Sequence, residues 1–211
     1  MDLELKDKVA IVTGGSKGIG KVIARVLANE GVDVAICSRT METLESTASE
    51  LTKETGRKII PIRADMTSSS DVQNVVDRTM EEFGRIDILV NNAAMVGGQV
   101  APNLADATEK DLIEDLDTKV VGYFRTIKAV APHMQSQKWG RIISIGGVSA
   151  RSSTFYGLRN SAIVHMTKTL SDQLGPDGIT MNVVHPGSTQ TDAIAAVLII
   201  TCLTVATLIW V

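Results

Sequence analysis

The amino-acid sequence predicts an α/β domain over residues 1–192: a doubly wound parallel sheet with helices on both faces. Three observations carry this. Apolar runs alternate with amphipathic helical patterns in a regular rhythm. The runs are almost continuously apolar, as strands are when helices cover both faces of their sheet. The first run, Val9-Ala10-Ile11-Val12-Thr13, ends in the turn Gly14-Gly15-Ser16-Lys17-Gly18-Ile19-Gly20, which opens directly into a helical pattern.

The elements follow in order. Val9–Thr13 is a strand rich in β-branched residues, and the helix Gly18–Asn29 leaves its glycine turn. A second apolar run, Val34–Ser38, precedes an amphipathic helix at Met41–Thr55. A third, Ile59–Ala64, precedes the helix Ser70–Phe83. That helix carries Val72, Val75, Val76 and Met80 on one face, and Ser68 and Ser70 stand before it as N-cap candidates. The strand Ile86–Asn91 is followed by a long helical pattern, Glu109–Gln137. The strands Arg141–Ile145 and Thr180–Val184 flank the helix Tyr156–Leu174. Strands separated by helices of this length pair in parallel through right-handed crossovers.

Bulk properties bound the function. A chain of 211 residues can build one sizeable core, and 44% hydrophobic with 21% charged residues is a globular balance. A net charge of −3 without a long basic run argues against a nucleic-acid partner. The two cysteines, Cys37 and Cys202, match no zinc or disulfide spacing, and Cys37 reads as a small buried hydrophobe. His133 and His185 have no Cys or carboxylate at ligand spacing, so no metal is implied. The charged N-terminus, Met1 to Lys6, lacks the apolar core of a signal peptide, which makes a reducing cytoplasmic setting the expectation.

The C-terminal segment breaks the pattern. Residues 193–211 form a run of 19 without a charge, about the length needed to cross a hydrocarbon core of roughly 30 Å as a helix. Trp210 suits an interface, and Thr201, Thr204 and Thr207 form one helical stripe suited to helix–helix contact. Membrane insertion, burial in a homo-oligomer and aggregation are its open fates, as is an end foreign to the parent gene.

Ligands of doubly wound sheets bind at the carboxyl ends of the strands. Those ends here carry the glycine turn, Ser38-Arg39-Thr40, Asp65-Met66, Asn91-Asn92-Ala93-Ala94, Gly146-Gly147 and Pro186-Gly187-Ser188-Thr189-Gln190-Thr191. Backbone N–H groups of a glycine turn and the positive end of a helix dipole favour a phosphate.

With these residues in order at such separations, Leu5 to Asp192 resembles the short-chain dehydrogenase/reductase family. Within it the chain is similar to 3-oxoacyl-carrier-protein-reductase-like members, truncated or divergent at the C-terminus. The resemblance implies a Rossmann-type fold that binds NAD(H) or NADP(H) and acts on a small carbonyl or alcohol. It places Gly14, Ser16, Lys17, Gly18, Ile19 and Gly20 on the phosphates and Asp65 with Met66 near the adenine. Asn92, Ala93 and Ala94 line the cofactor, and Pro186, Gly187 and Thr191 approach the nicotinamide carboxamide. Specificity for NAD usually needs an acid after the second strand; Arg39 stands there, with Lys17 in the turn. Two cations complement a 2′-phosphate, so NADP(H) is favoured over NAD(H).

The catalytic positions depart from the family. Tyr156 stands at the tyrosine acid/base position. Four residues on, where a lysine would lower the tyrosine pKa, the chain has Asn160. The serine position holds Gly147 and the asparagine position Lys119, and the segment between Gly147 and Tyr156 is short. Asn160 can still hydrogen-bond a ribose. Arg159 and Lys119 can supply charge, and Ser144, Ser149, Ser152 or Ser153 a hydroxyl. His165 lies on the wrong part of its helix. Three readings follow: an NADP(H)-dependent oxidoreductase with a degenerate catalytic set, a catalytically impaired nucleotide-binding scaffold or sensor, and a membrane-tethered or truncated product whose tail decides its fate. A methyltransferase on a similar sheet is disfavoured by Asn91-Asn92-Ala93-Ala94 and the Tyr156 helix.

Overall fold

The computed structural model describes residues 3–95, 100–147, 154–187 and 189. Its sheet holds six strands: β1 (Val9–Thr13), β2 (Asp33–Ser38), β3 (Ile59–Arg63), β4 (Ile88–Asn91), β5 (Gly140–Ile145) and β6 (Ile179–Val184). All neighbours pair in parallel, in the order β3-β2-β1-β4-β5-β6. The chain starts in the middle of the sheet, builds outward to β3, then crosses back to β4. That reversal leaves a crevice beyond the carboxyl ends of β1 and β4.

The helices are α1 (Gly18–Asn29), α2 (Met41–Thr55), α3 (Ser69–Phe83), α4 (Glu109–Leu116), α5 (Gly122–Gln137) and α6 (Phe155–Leu174). Alternation along β1 shows why the strands read as continuously apolar. Ala10 and Val12 pack with Ile23 and Leu27 of α1 and Leu44 and Leu51 of α2. Ile11, between them, packs with Val72 and Val76 of α3 and Ile127 and Met134 of α5. Each face of the strand is therefore covered by helices.

Two expectations change. The helical pattern at Glu109–Gln137 is not one uniform helix, because α4 and α5 are joined by a π-helical turn, Asp117–Val121. The N-cap of α3 is Ser68, whose Oγ accepts from the Asp71 N–H at 3.2 Å. Ser70 lies inside the first turn, with its hydroxyl 3.0 Å from that of Ser68. The strand ends differ from the sequence reading by a residue or two, because the last residues of a strand fray into their turns. The uncharged segment 193–211 lies outside the described residues; among those, no helix is long and apolar enough to cross a membrane.

Candidate active site

The glycine turn is built so that side chains cannot fill it. Gly14 has φ +67°, a conformation other residues adopt at a cost. A Cβ on Gly20 would lie 2.2 Å from the Gly14 carbonyl oxygen, so α1 can start this close to the turn only with glycine there. Asn92 braces the same point: its Nδ2 donates to the carbonyls of Thr13 at 3.0 Å and Gly14 at 3.3 Å. The Thr13 hydroxyl accepts from the N–H groups of Asn92 at 2.9 Å and Ala93 at 3.0 Å, which ties β1 to the end of β4. Among the described residues no side chain caps the first turn of α1, which leaves its N–H groups for a ligand anion.

This turn forms the floor of a cleft of about 400 Å³ that runs from the end of β2 to the start of α6. At the β2 end, Arg39 is exposed and Ser38 lines the wall. The Ser38 Oγ is buried and has no hydrogen-bond partner among the described residues. Beside it, the Thr67 N–H and hydroxyl hold the Asp65 carboxylate at 2.9 and 2.8 Å. These bonds from Thr67, with smaller help from the Arg39 and Arg125 charges, keep Asp65 below the usual carboxylate range. Cys37 also lines the cleft, but burial pushes its thiol up to about 12, so it stays protonated and unreactive at neutral pH.

The other end of the cleft is walled by the π turn and α6. Lys119, 3% exposed, donates from Nζ to the Gly146 carbonyl at 3.0 Å and to Asn160 Oδ1 at 2.9 Å. Behind it, Arg159 of α6 and Asp115 of α4 form a buried ion pair with an Nη1–Oδ1 distance of 2.5 Å. Desolvation lowers the Lys119 pKa to about 7; the Arg159 charge adds to the effect and Asp115 opposes it. Tyr123 of α5 donates its hydroxyl to the Ile145 carbonyl, and burial raises its pKa far above the ordinary value. Tyr156, half-buried on the first turn of α6, has the Arg159 guanidinium 5.6 Å from its ring centre.

The structure brings most of the sequence-predicted residues together. Of the expected cofactor set, all line the cleft except Gly20, Gly187 and Thr191. Gly20 acts from behind by admitting the turn, Gly187 follows the lining residue Pro186, and Thr191 lies outside the described residues. Among the candidate catalytic groups, Lys119 and Arg159 line the cleft, and Asn160 touches it through Lys119. Tyr156 is not in the lining formed by described residues. Ser144 is not available as a substitute hydroxyl, because it is fully buried within β5. Ser149, Ser152 and Ser153 lie outside the described residues. A serine at position 147 would start with its Cβ 2.9 Å from Asn160 Nδ2, so Gly147 leaves the room that Asn160 occupies. His165 is exposed, and His185 is bonded through Nδ1 to the backbone of Gly147. The sequence reading missed the Asp115–Arg159 pair and the Lys119–Asn160 bond. For the first, the signal was a charged residue on each of two helices that both needed buried faces.

Comparison with known proteins agrees with this geometry. The family model for short chain dehydrogenases matches residues 8–198, a span that runs into the uncharged segment. An uncharacterized oxidoreductase of Staphylococcus saprophyticus is 34% identical over 194 residues, covering 90% of this chain and 81% of that protein. The crystal structure of a short chain dehydrogenase from Burkholderia cenocepacia in complex with NADP is 39% identical with a TM-score of 0.81, covering 90% of this chain and 78% of that one. The structure of an NAD+-bound xylitol dehydrogenase is 32% identical with a TM-score of 0.82, covering 87% and 71%. Together with the parallel six-stranded sheet and the glycine turn at its reversal point, this establishes that the chain belongs to the short chain dehydrogenase family of oxidoreductases.

Proposed function

We propose that the protein is an NADP(H)-dependent oxidoreductase that interconverts a small carbonyl compound and its alcohol. The observation that carries the cofactor choice is the end of β2, where the orphaned Ser38 hydroxyl lies beside Arg39, with Lys17 across the turn on the same cleft. A buried hydroxyl without a partner is costly unless a ligand completes it. A 2′-phosphate on the adenine ribose would accept from Ser38 and be held bidentately by Arg39, with Lys17 adding charge. An acid suited to an unphosphorylated ribose does not occupy position 39.

The remaining residues fit the same ligand. The glycine turn and the first turn of α1 offer N–H groups to the pyrophosphate. Asn92, Ala93 and Ala94 line the middle of the cleft and Pro186 its far end. When bound, the nicotinamide supplies or accepts the hydride. Asn160 holds Lys119 at the wall, and Tyr156, one helical turn before Asn160, is the phenol that the family resemblance implies as acid/base. Exposed apolar side chains on α5 and α6, Phe124, Leu158 and Val164, support a second copy as partner. Residues 193–211 are the candidate membrane contact.

A second reading, a nucleotide-binding sensor with impaired catalysis, is favoured by Gly147, which presents no hydroxyl to a substrate oxygen. Calorimetric titration with NADPH and NADH tests the cofactor choice: equal affinities would refute it. Oxidation of NADPH against a panel of aldehydes and ketones separates enzyme from sensor.

A further inference from the structure

Lys119 occupies a place where an ammonium is expensive. It is the buried residue of the π-helical turn between α4 and α5. Such turns are rare and recur at functional sites. Both oxygens that hold its Nζ, Gly146 O and Asn160 Oδ1, are neutral. The carboxylate one turn earlier, Asp115, is bound by Arg159 instead. A buried cation held by neutral dipoles loses much of its hydration without a full counter-charge, and such a group lining a cleft is a candidate for function.

The charged and titratable groups around Lys119 come from every element packed on it. Asp115 stands on the α4 side and Arg159 on the α6 side, and their effects on the lysine oppose each other. On the strand side, Tyr123 is engaged by Ile145 O, and His185, which is exposed, by the Gly147 backbone. Burial holds the Tyr123 phenol protonated. Burial, more than either charge, lowers Lys119 to about 7, where a group can both give and take a proton at neutral pH.

We propose that Lys119 gives the proton to the substrate oxygen in carbonyl reduction and takes it back in alcohol oxidation, with Asn160 as the positioning residue that holds its Nζ at the cleft wall. This rests on the oxidoreductase reading and moves the proton from Tyr156 to Lys119. In reduction the carbonyl carbon gains the hydride that the reduced nicotinamide supplies. The carbonyl π pair moves onto oxygen and forms an O–H bond with a Lys119 proton. The N–H bond breaks, its electron pair stays on nitrogen, and the neutral amine regains a proton from water.

The test uses the full-length protein and Lys119→Met, Lys119→Arg, Lys119→Gln and Tyr156→Phe. Oxidation of NADPH is followed with the aldehyde and ketone panel from mildly acid to alkaline pH. The expected wild-type rate of reduction falls as pH rises through about 7. Lys119→Met loses about a hundredfold or more. Lys119→Arg keeps the charge but loses the limb near neutrality, whereas Tyr156→Phe retains that limb, whatever its rate. Lys119→Gln, which can still donate to Asn160, gives the same result should the methionine variant fail to fold. A second readout needs no turnover: protein made with 13Cε-labelled lysine should show one signal titrating near neutrality, absent from every Lys119 variant. The proposal is overturned if the neutral limb survives in Lys119→Gln, if Tyr156→Phe alone removes it, or if every lysine signal titrates only at alkaline pH. A wild-type protein that binds NADPH but turns over no member of the panel removes the oxidoreductase reading instead, and this inference with it.

Discussion

Replacing Asp115 with leucine should unfold the α4–α6 wall more readily than any single change on the surface. The carboxylate is 1% exposed and its partner Arg159 is 7% exposed, so Asp115→Leu strands a guanidinium that has little access to water. Breaking a buried pair from one side costs about 3–5 kcal/mol, because the remaining charge is left without compensation. Against a domain stability of about 5–15 kcal/mol, that is a large fraction. A surface pair gives the contrast. Lys21 and Glu50 lie 2.8 Å apart but are 22% and 46% exposed, and such pairs contribute about 0–1 kcal/mol. Removing both charges, in Asp115→Leu with Arg159→Met, takes away the stranded cation and should recover most of the loss. Urea unfolding followed by tryptophan fluorescence measures all three. A single variant that loses less than about 1 kcal/mol, or a double variant no better than the single, would refute the argument that the pair is buried and interdependent.

The remaining predictions concern the same cleft. Arg39→Asp should reverse a preference for NADPH over NADH by about ten- to a hundredfold, the loss of one bidentate phosphate contact; calorimetry with both nucleotides checks it. Lys119 titrates at about 7 in the folded chain against 10.5 for the ordinary side chain. Its charged form therefore opposes folding fully below pH 7, and stability should climb as pH rises from about 7 to 10.5, by at most about 5 kcal/mol. The difference in chemical stability between wild type and Lys119→Met, measured across that range, should shrink accordingly. Asn160→Lys alone should destabilise, since it puts a second ammonium where Lys119 Nζ now sits 2.9 Å from the amide oxygen. Joined with Lys119→Asn it should fold near wild type and restore turnover to Tyr156; equal stability of the single and the exchanged variant would refute this.

Much of the fold was legible because it rests on local signals that repeat. Apolar runs gave the strands, and the turn Gly14-Gly15-Ser16-Lys17-Gly18 marked the reversal point with few alternatives. What periodicity did not show was the π turn. It shifts the register by a single residue inside Glu109–Gln137, a pattern that remains helical on either side. The choice between Ser68 and Ser70 as cap was also invisible, because both hydroxyls can reach an N–H in the first turn. Only the backbone at Ser68, extended rather than helical, decides between them.

The candidate site divides the same way. Positions whose role is to be small, or to present backbone, could be read singly: Gly20 is needed because of what its Cβ would strike. Positions that act in pairs could not. Taken one at a time, lysine at 119 and asparagine at 160 each look like the loss of a catalytic residue. In space they touch at 2.9 Å, so the cation and the amide are both present, each contributed by the other's helix. Whether an exchange of that kind preserves chemistry depends on where the charge is aimed and how it is tuned. Lys119 lines the cleft from the π turn, and its pKa is lowered first by burial and then shifted by an arginine and a carboxylate that neither position predicts. Gly147 belongs to the same exchange, since a serine there would collide with the amide that now holds the lysine. If Lys119 carries the proton as proposed, the three departures from the family pattern are one rearrangement, and reverting any of them alone should do harm before it does good.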